Sequence, residues 1–375
     1  MIPLAKPSIT EQDIEAVVSV LRSCRLSCGP VVEQFEMELA KIAGVHHAIC
    51  VNSGTSALDL IVKSLGIGAG DEVICPSFSF IASANCLVSN GATPVFVDID
   101  PTTYCLDTKK IEADITNNTK AILAVDLFGR CANWTELERL AKQYDLLLIE
   151  DACEAIGAIH AGRPAGSFGD AACFSFYPNK QITTGEGGVV LTNNPSLANI
   201  CRALRNQGRT SGRWLAHEMI GMNYRMTELQ AALGLSQLRR WPNILVYHRQ
   251  VAYAYLDNLQ ADNIIIPHYG DRSWFVYVVR LYDHYTRQDR DSIIDGMAEH
   301  GIECRAYFPP IHLQPVYREK FGYKEGLLPL TEAIADRTIA LPFYPDMTVE
   351  DVKTVCMALH ALLTTRGTHE ALSAL

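Results

Sequence analysis

Lys180 lies inside FSFYPNKQITTGEGG, after an apolar run and ahead of Gly185, Gly187 and Gly188. Lysine is the side chain that forms Schiff bases with carbonyl cofactors, and desolvation among apolar and small residues lowers its pKa toward that use. The bland alternative is a solvated loop lysine, against which the dense glycine run argues for close backbone packing. Upstream, DLLLI ends in Glu150-Asp151. Ligands bind at the carboxyl ends of strands in open parallel sheets, so Asp151 is placed to meet one, unless it only caps a following helix. VNSGTSALDL sets Gly54, Thr55 and Ser56 at a small-residue turn that opens a helix, where free N–H groups attract phosphate; an ordinary N-cap explains the same residues. CPSFSFIASAN sets Phe78 and Phe80 just after a strand end, either as a plate for a flat ring or as core. Taken together, a phosphate cradle, an aromatic plate, an acid and a lysine are the parts of a pyridoxal-phosphate site. In such a site Asp151 keeps the pyridine nitrogen protonated, and Lys180 carries the cofactor and shuttles a proton.

These residues need a scaffold, and the hydrophobic pattern supplies one. Thr10 with Asp13 resembles a capping box ahead of a first helix running to about Cys24. Short apolar runs then alternate with amphipathic segments: HHAICV, DEVICP, TPVFVDI, KAILAVDL, DLLLIED, ACFSF and GGVVLT, with helices over about 56–65, 81–89 and 134–143. Several runs are continuous rather than alternating, as expected of strands covered on both faces, so this is an α/β domain on a largely parallel sheet. Past Thr227 the pattern changes to a long helical stretch, TELQAALGLSQLRRW, then a strand over 274–281 and helices near 286–299 and 349–363. This predicts a large domain over 1–240, including the N-terminal segment, and a smaller C-terminal α+β domain over 241–375, with no Pro/Gly/Ser linker between them.

Composition narrows the partners. The 375 residues are 48% hydrophobic and carry a formal net charge of -10, with no block of like charges, which disfavours nucleic acid and anionic membrane. No apolar stretch is long enough to span a bilayer, and MIPLAKPSIT lacks a secretory pattern, so a cytoplasmic protein is expected. Twelve cysteines show no C-x-x-C pair and no histidine in metal spacing, and most sit in apolar runs. They read as reduced, buried thiols, and no metal site is expected.

The ordered segments PLAKPSIT, RLSCGPVVEQFE, NSGTSALDL, GDEVICPSFSF, PVFVDID, IEDACEAIGA, GSFGDAACFSFYPNKQITTGEGG, LRNQGR, GMNYRMTELQAAL, YFPPIHLQPVYRE and LPFYPDMT resemble the DegT/StrS-like family of sugar aminotransferases over nearly the whole chain. The resemblance implies pyridoxal-phosphate fold type I, with a mixed, mostly parallel sheet flanked by helices and a smaller C-terminal α+β domain. It implies Lys180 as the cofactor lysine, Asp151 as the partner of the pyridine nitrogen, and Gly54, Thr55, Ser56 and Ser175 as the phosphate-binding set. Phe80 matches the stacking aromatic. Asn223 matches a residue that reaches the cofactor phosphate of a neighbouring subunit, which implies a homodimer with shared active sites. Arg225 is either a contact to the sugar nucleotide or a structural ion pair.

Three positions depart from the pattern or stay open. Glu154 stands beside the cofactor ring where relatives commonly have Gln or His; otherwise it is an exposed helix residue. Cys24 and Cys28 flank RLS where relatives often carry Gly and Thr, leaving Ser27 as the sugar contact. His312 in PPIHLQP is either a substrate contact or a satisfied structural histidine. The implied reaction moves an amino group from an amino acid donor, L-glutamate, to a nucleotide-linked keto-sugar, with a lean toward C4 of a 4-keto-6-deoxyhexose, for polysaccharide or glycan precursors. Amination at C3, a sugar dehydratase of the same family and a catalytically silent regulatory protein are the alternatives. The dehydratases carry His where this chain has Lys180, and a cysteine desulfurase needs a catalytic cysteine in a distinctive loop, which this sequence lacks.

Overall fold

The computed structural model describes residues 1–210, 216–259, 263–268, 270 and 272–373. The described residues form the strands β1 His47–Val51, β2 Glu72–Pro76, β3 Thr93–Val97, β4 Thr119–Val125, β5 Leu147–Asp151, β6 Ile159–His160, β7 Arg163–Pro164, β8 Ala171–Ser175, β9 Gly188–Thr192, β10 Ile264–Ile265, β11 Tyr277–Leu281 and β12 Thr338–Leu341. The helices are α1 Glu11–Ser23, α2 Pro30–Ala43, α3 Gly54–Ser64, α4 Ala82–Ser89, α5 Trp134–Tyr144, α6 Pro195–Arg205, α7 Glu228–Arg239, α8 Trp241–Asn258, α9 Arg287–Glu299, α10 Pro315–Phe321, α11 Pro329–Ala335 and α12 Val349–Ser373.

All seven apolar runs of the first half become strands of one sheet, ordered β1-β9-β8-β5-β4-β2-β3. Only β9 runs against its neighbours; every other adjacent pair is parallel. Strands β1 and β9 are apolar along nearly their whole length and largely buried, as a sheet covered on both faces requires. A single continuous core joins the sheet to the helices that cover it, with Phe35, Leu58, Ile61, Phe78, Trp134 and Phe176 among its fully buried side chains. In the three-stranded sheet β10-β11-β12 all neighbours are antiparallel, and a second cluster forms around it from Tyr255, Trp274, Tyr277, Ile293, Ile339, Val352 and Leu359. Helix α8 passes between the two cores. Trp241 and Ile244 pack in the first and Val251, Ala252 and Tyr255 in the second.

Three elements differ from the sequence pattern. The stretch TELQAALGLSQLRRW holds α7, which ends at Arg239, and its last residue, Trp241, opens a second helix, α8, that continues to Asn258 with Pro242 in its first turn. The strand expected over 274–281 starts only at Tyr277, since the preceding residues pair with a loop: Arg272 bridges Arg130, and Ser273 donates to the Gly129 carbonyl at 2.8 Å. No helix follows Asp151; the chain turns and enters the short hairpin β6–β7.

One buried carboxylate joins the N-terminal segment to this frame. Glu228, in the first turn of α7, accepts backbone N–H groups of Gly29, Val31 and Val32 at 3.0 Å each. These donors open α2 and have no helical partner of their own. Glu228 is 1% exposed, so its removal strands three amides away from water. Glu228→Ala is expected to lower stability by about 2–4 kcal/mol in urea unfolding, with Glu228→Gln intermediate because one oxygen acceptor survives.

Candidate active site

Strands β5 and β8 run side by side, with Asp151, the last residue of β5, paired in register with Cys173. Ser175 ends β8 two residues further on, and the chain then turns through 176–187 to return as β9. The Lys180 turn is anchored on several sides. Gln181 Nε2 donates to the Glu154 carbonyl at 2.8 Å and to Ser273 Oγ at 3.0 Å, while the Thr183 N–H donates to Gln237 Oε1 at 2.9 Å. Phe275 covers the Lys180 amine, with Nζ 4.1 Å from its ring centroid, and Glu154 Oε1 lies 3.6 Å from Nζ. Lys180 is thus largely withdrawn from solvent, with a side-chain exposure of 12%.

Asp151 is buried and held from two sides. Ser83 Oγ donates to its Oδ2 at 2.7 Å, and the Cys153 N–H reaches its Oδ1 at 3.2 Å. Ser83 in turn bonds Ser79 at 2.9 Å, so the CPSFSF loop is the support for this carboxylate. Phe78 points into the core, fully buried, whereas Phe80 is 59% exposed at the start of α4. The two phenylalanines are therefore separated: one is packing, the other a free ring at the mouth of the loop.

The glycines decide how close the phosphate turn comes. A Cβ on Gly54 would sit 2.8 Å from Ser175 Cβ and 3.0 Å from Cys153 Sγ, and one on Gly188 would sit 2.5 Å from the Ser53 carbonyl. The first turn of α3 therefore rests directly on the ends of β8 and β9. Ser53 caps α3 by accepting the Ser56 N–H at 3.1 Å, which leaves the N–H groups of Gly54 and Thr55 outside the helical ladder. Thr55 is exposed and Ser175 half-buried, both hydroxyl-bearing, around this turn. A phosphate fits such a donor set, and the flanking acid, exposed ring and covered amine fit the rest of pyridoxal phosphate.

Glu154 is buried, not an exposed helix residue. Its Oε2 accepts the Phe128 N–H at 3.0 Å, and burial raises its pKa against the opposing pull of Lys180. His312 is fully buried: Nδ1 meets Ser77 Oγ at 2.7 Å and Nε2 meets Glu332 Oε1 at 3.1 Å. Burial lowers its pKa, and a neutral ring with its proton on Nε2 satisfies both partners. No ring nitrogen is left for a substrate; this is the arrangement of the structural alternative. Asn223 and Arg225 lie on an extended segment beside the end of β1; Asn223 is exposed, and Arg225 Nη1 bonds Asn206 Oδ1 at 2.9 Å rather than a carboxylate. Ser27 is exposed and bridges Thr227 through the backbone, apart from the Lys180 turn. Ser83, Phe275 and Phe128 escaped the sequence reading, because hydroxyls and phenylalanines in apolar runs carry no spacing signal.

All twelve cysteines are unpaired. Cys153 and Cys173 lie 3.5 Å apart beside Asp151, and the three form a cluster of metal-ligating atoms. Burial pushes the Cys173 thiol well up, and the Cys153 thiol is also raised, so the thiolates that a metal needs are disfavoured there.

The fold and site have clear counterparts among known proteins. Residues 7–360 match the model of the DegT/DnrJ/EryC1/StrS aminotransferase family. GDP-perosamine synthase of Caulobacter vibrioides is 40% identical over 368 residues, covering 96% of this chain and 98% of that protein. The structure of Helicobacter pylori PseC, an aminotransferase involved in the biosynthesis of pseudoaminic acid, superposes with a TM-score of 0.92 at 28% identity, covering 97% and 99% of the two chains. DesV of S. venezuelae gives 0.87 at 36% identity, with 94% of each chain covered. The architecture is that of a fold type I, pyridoxal-phosphate-dependent aminotransferase of nucleotide sugars. Within that class, the chain belongs to the DegT/DnrJ/EryC1/StrS aminotransferase family.

Beneath the site, two carboxyl groups share the core. Asp126 and Glu150 are both fully buried. Asp126 Oδ1 accepts the Ala132 N–H and Trp134 Nε1–H, each at 2.8 Å, and Glu150 accepts the N–H groups of Gly166 at 2.7 Å and Phe168 at 2.8 Å. Burial pushes Asp126 up to about 6 and Glu150 well above the usual carboxylate range, the latter raised further by the charge it faces. Protonation of one of the two groups relieves the repulsion between them. Both folded-state pKa values are raised, so the stability they contribute is complete below the normal carboxylate pKa of about 4 and is lost as pH rises through about 6. Asp126→Asn keeps the oxygen acceptor and removes one charge. Its unfolding midpoint is expected to fall less steeply between pH 5 and 8 than that of the wild type.

Proposed function

We propose that this chain transfers an amino group from an amino acid, L-glutamate, to C4 of a nucleotide-linked 4-keto-6-deoxyhexose, supplying precursors for polysaccharide or glycan. The observation that carries this reading is the covered Lys180 amine, the buried acid Asp151 at the end of β5, and the glycine-built phosphate turn. The C4 assignment is supported by the GDP-perosamine synthases of Caulobacter vibrioides and Escherichia coli O157:H7, at 40% and 37% identity over nearly their whole length, since perosamine is a 4-amino sugar. Bound in this site, pyridoxal phosphate supplies a ring that accepts the electrons left when a substrate carbon loses its proton.

The protein's part is to hold, orient and move protons. Asp151, fixed by Ser83 and the Cys153 amide, would hold the ring nitrogen, and Gly54, Thr55, Ser56 and Ser175 would hold the phosphate. Phe80 offers its exposed ring as the stacking plate. Lys180 Nζ would hold the cofactor, and its amine would serve to take and return a proton at the substrate carbon. Phe275 over this amine excludes water from it. Glu154 stands beside the amine as a buried acid that shares its proton traffic. Asn223, exposed on its extended segment, is available to a second copy, in keeping with a homodimer that shares active sites. Twelve unpaired cysteines support a cytoplasmic location.

Borohydride reduction of the cofactor-loaded protein is expected to fix the label on the peptide containing Lys180. Lys180→Ala is expected to lose amino transfer by at least about 10³-fold while keeping its fold by circular dichroism. Assays with GDP-, UDP- and dTDP-linked keto-sugars, followed by NMR of the product, locate the new C–N bond. A label elsewhere, or nitrogen at a carbon other than C4, overturns the corresponding part of the reading.

A further inference from the structure

The Lys180 amine stands between two unlike groups. The Phe275 ring lies over it, with Nζ 4.1 Å from the ring centroid, and Glu154 Oε1 lies 3.6 Å from Nζ. Phe275 is 3% exposed and the Glu154 side chain 6%, so water screens neither contact. Both groups are fixed by bonds that the amine does not make. Gln181, next to Lys180 in the chain, donates through Nε2 to the Glu154 carbonyl at 2.8 Å and to Ser273 Oγ at 3.0 Å, which ties the segment of Phe275 to that of Glu154. Ser273 is pinned in turn, its Oγ donating to the Ile156 carbonyl and its N–H to the Gly129 carbonyl. The Glu154 carboxyl is aimed by the Phe128 N–H, which reaches Oε2 at 3.0 Å while Oε1 faces the amine. Phe128 sits at a φ of 52°, a left-handed conformation that a bulky side chain rarely adopts, and Gly129 follows at 80°. Two successive left-handed residues thus set one N–H against one carboxyl oxygen.

These surroundings matter when the amine changes charge. A carboxylate that faces a neutral amine here is a buried charge with one N–H donor to offset it. Once the amine takes a proton the two charges cancel, and the ring face adds its own attraction for a cation. Burial raises the Glu154 pKa against the pull of Lys180 and the Phe128 N–H, and the charge of Asp151 adds to the rise. Tyr307 also feels this carboxyl, but burial raises its pKa, so it stays neutral. The carboxylate and the ring together favour a protonated amine over a neutral one.

We propose that Phe275 and Glu154 are positioning residues that receive the Lys180 ammonium formed when the Cα–H bond of the amino donor breaks. This rests on the reading of the chain as an aminotransferase. In that step the electron pair of the C–H bond passes into the ring of bound pyridoxal phosphate and the proton bonds to Nζ, so positive charge develops between the carboxylate and the ring face. Stabilising that charge speeds proton removal without tightening the hold on the donor. A cover that only excludes water would leave the charge of residue 154 without effect.

The test uses two variants that keep the shape of the site. Glu154→Gln removes the charge and keeps an oxygen for the Phe128 N–H, while Phe275→Leu keeps the cover and removes the ring face. In the holoenzyme, the half-reaction with L-glutamate is followed by stopped-flow absorbance, with ordinary and Cα-deuterated donor. Glu154→Gln is expected to slow this step about tenfold or more and Phe275→Leu about threefold or more, with half-saturating glutamate moved by less than about twofold. The deuterium isotope effect is retained or enlarged. A readout independent of turnover uses the protein loaded with pyridoxamine phosphate, the form in which Lys180 is not linked to the cofactor. There, acetic anhydride at neutral pH with peptide mapping is expected to label Lys180 about fivefold or more faster in Glu154→Gln than in the wild type, since only an uncharged amine is acylated. The assignment is overturned by half-reactions within about twofold of the wild type in both variants, by losses that lie in half-saturating glutamate, or by an isotope effect that disappears. Unchanged Lys180 labelling in Glu154→Gln, or a Glu154→Gln protein that no longer takes up the cofactor, overturns it equally, and a loss in Glu154→Gln alone removes Phe275 from it. Failure of the broader reading looks different: the wild type then shows no half-reaction with an amino acid, while Lys180 labelling still separates Glu154→Gln from the wild type.

Discussion

The close approach of one helical turn to two strand ends is the constraint on which the site depends. Hydrogen in place of a side chain at Gly54 and Gly188 lets the start of α3 rest on β8 and β9. A methyl at either position would meet atoms at 2.5–2.8 Å, so the turn would have to move. With the turn in place, its free amides face the same pocket as Ser175, and the strand ends that deliver Asp151 and the Lys180 loop lie alongside. The glycines of GEGG serve two different needs. Gly185 adopts a positive φ of 78° with open space around it, whereas Gly187 and Gly188 provide clearance.

Around this turn the protein buries several ionisable groups, each with its own form of compensation. Asp151 accepts a hydroxyl and an amide; Glu228 accepts three amides; Asp98 accepts the Leu330 and Thr331 amides and the Thr331 hydroxyl, tying α11 to the end of β3. Asp126 and Glu150 each accept two N–H groups, and burial raises both pKa values because two charges are costly at that depth. Glu332 shows the opposite balance: although burial raises it, amides of Gly326 and Leu328 and the His312 ring hold its pKa low. Such bonds also act over distance. The Ser77–His312–Glu332 chain joins the loop that carries Phe80 to α11 in the C-terminal part of the molecule, so the two share a fixed frame.

Much of the architecture was legible in the residues because burial on both faces leaves a local trace. All seven apolar runs of the first half are strands of the main sheet, and the helices over 82–89 and 134–144 fall within a residue or two of the expected bounds. The order in which those strands pair, and the reversal of β9, leave no such trace, since every one of them is equally apolar. Helix α8 beyond Trp241 was not read from the sequence, and a strand was extended over 274–276 because periodicity records burial and does not distinguish a sheet partner from a loop partner.

The same division holds at the site. Residue chemistry alone pointed to Lys180, Asp151 and the turn at 54–56, because an amine, an acid and a phosphate-sized gap are scarce in apolar surroundings and stand out by type. Which of Phe78 and Phe80 is free, whether Glu154 is exposed, and whether His312 has a nitrogen to spare were decided only in three dimensions, where partners far apart in sequence meet. Ser83 under Asp151 and Phe275 over Lys180 belong to that second group. Hydrogen-bond satisfaction and desolvation are properties of a packed neighbourhood, and no local pattern of residues encodes them.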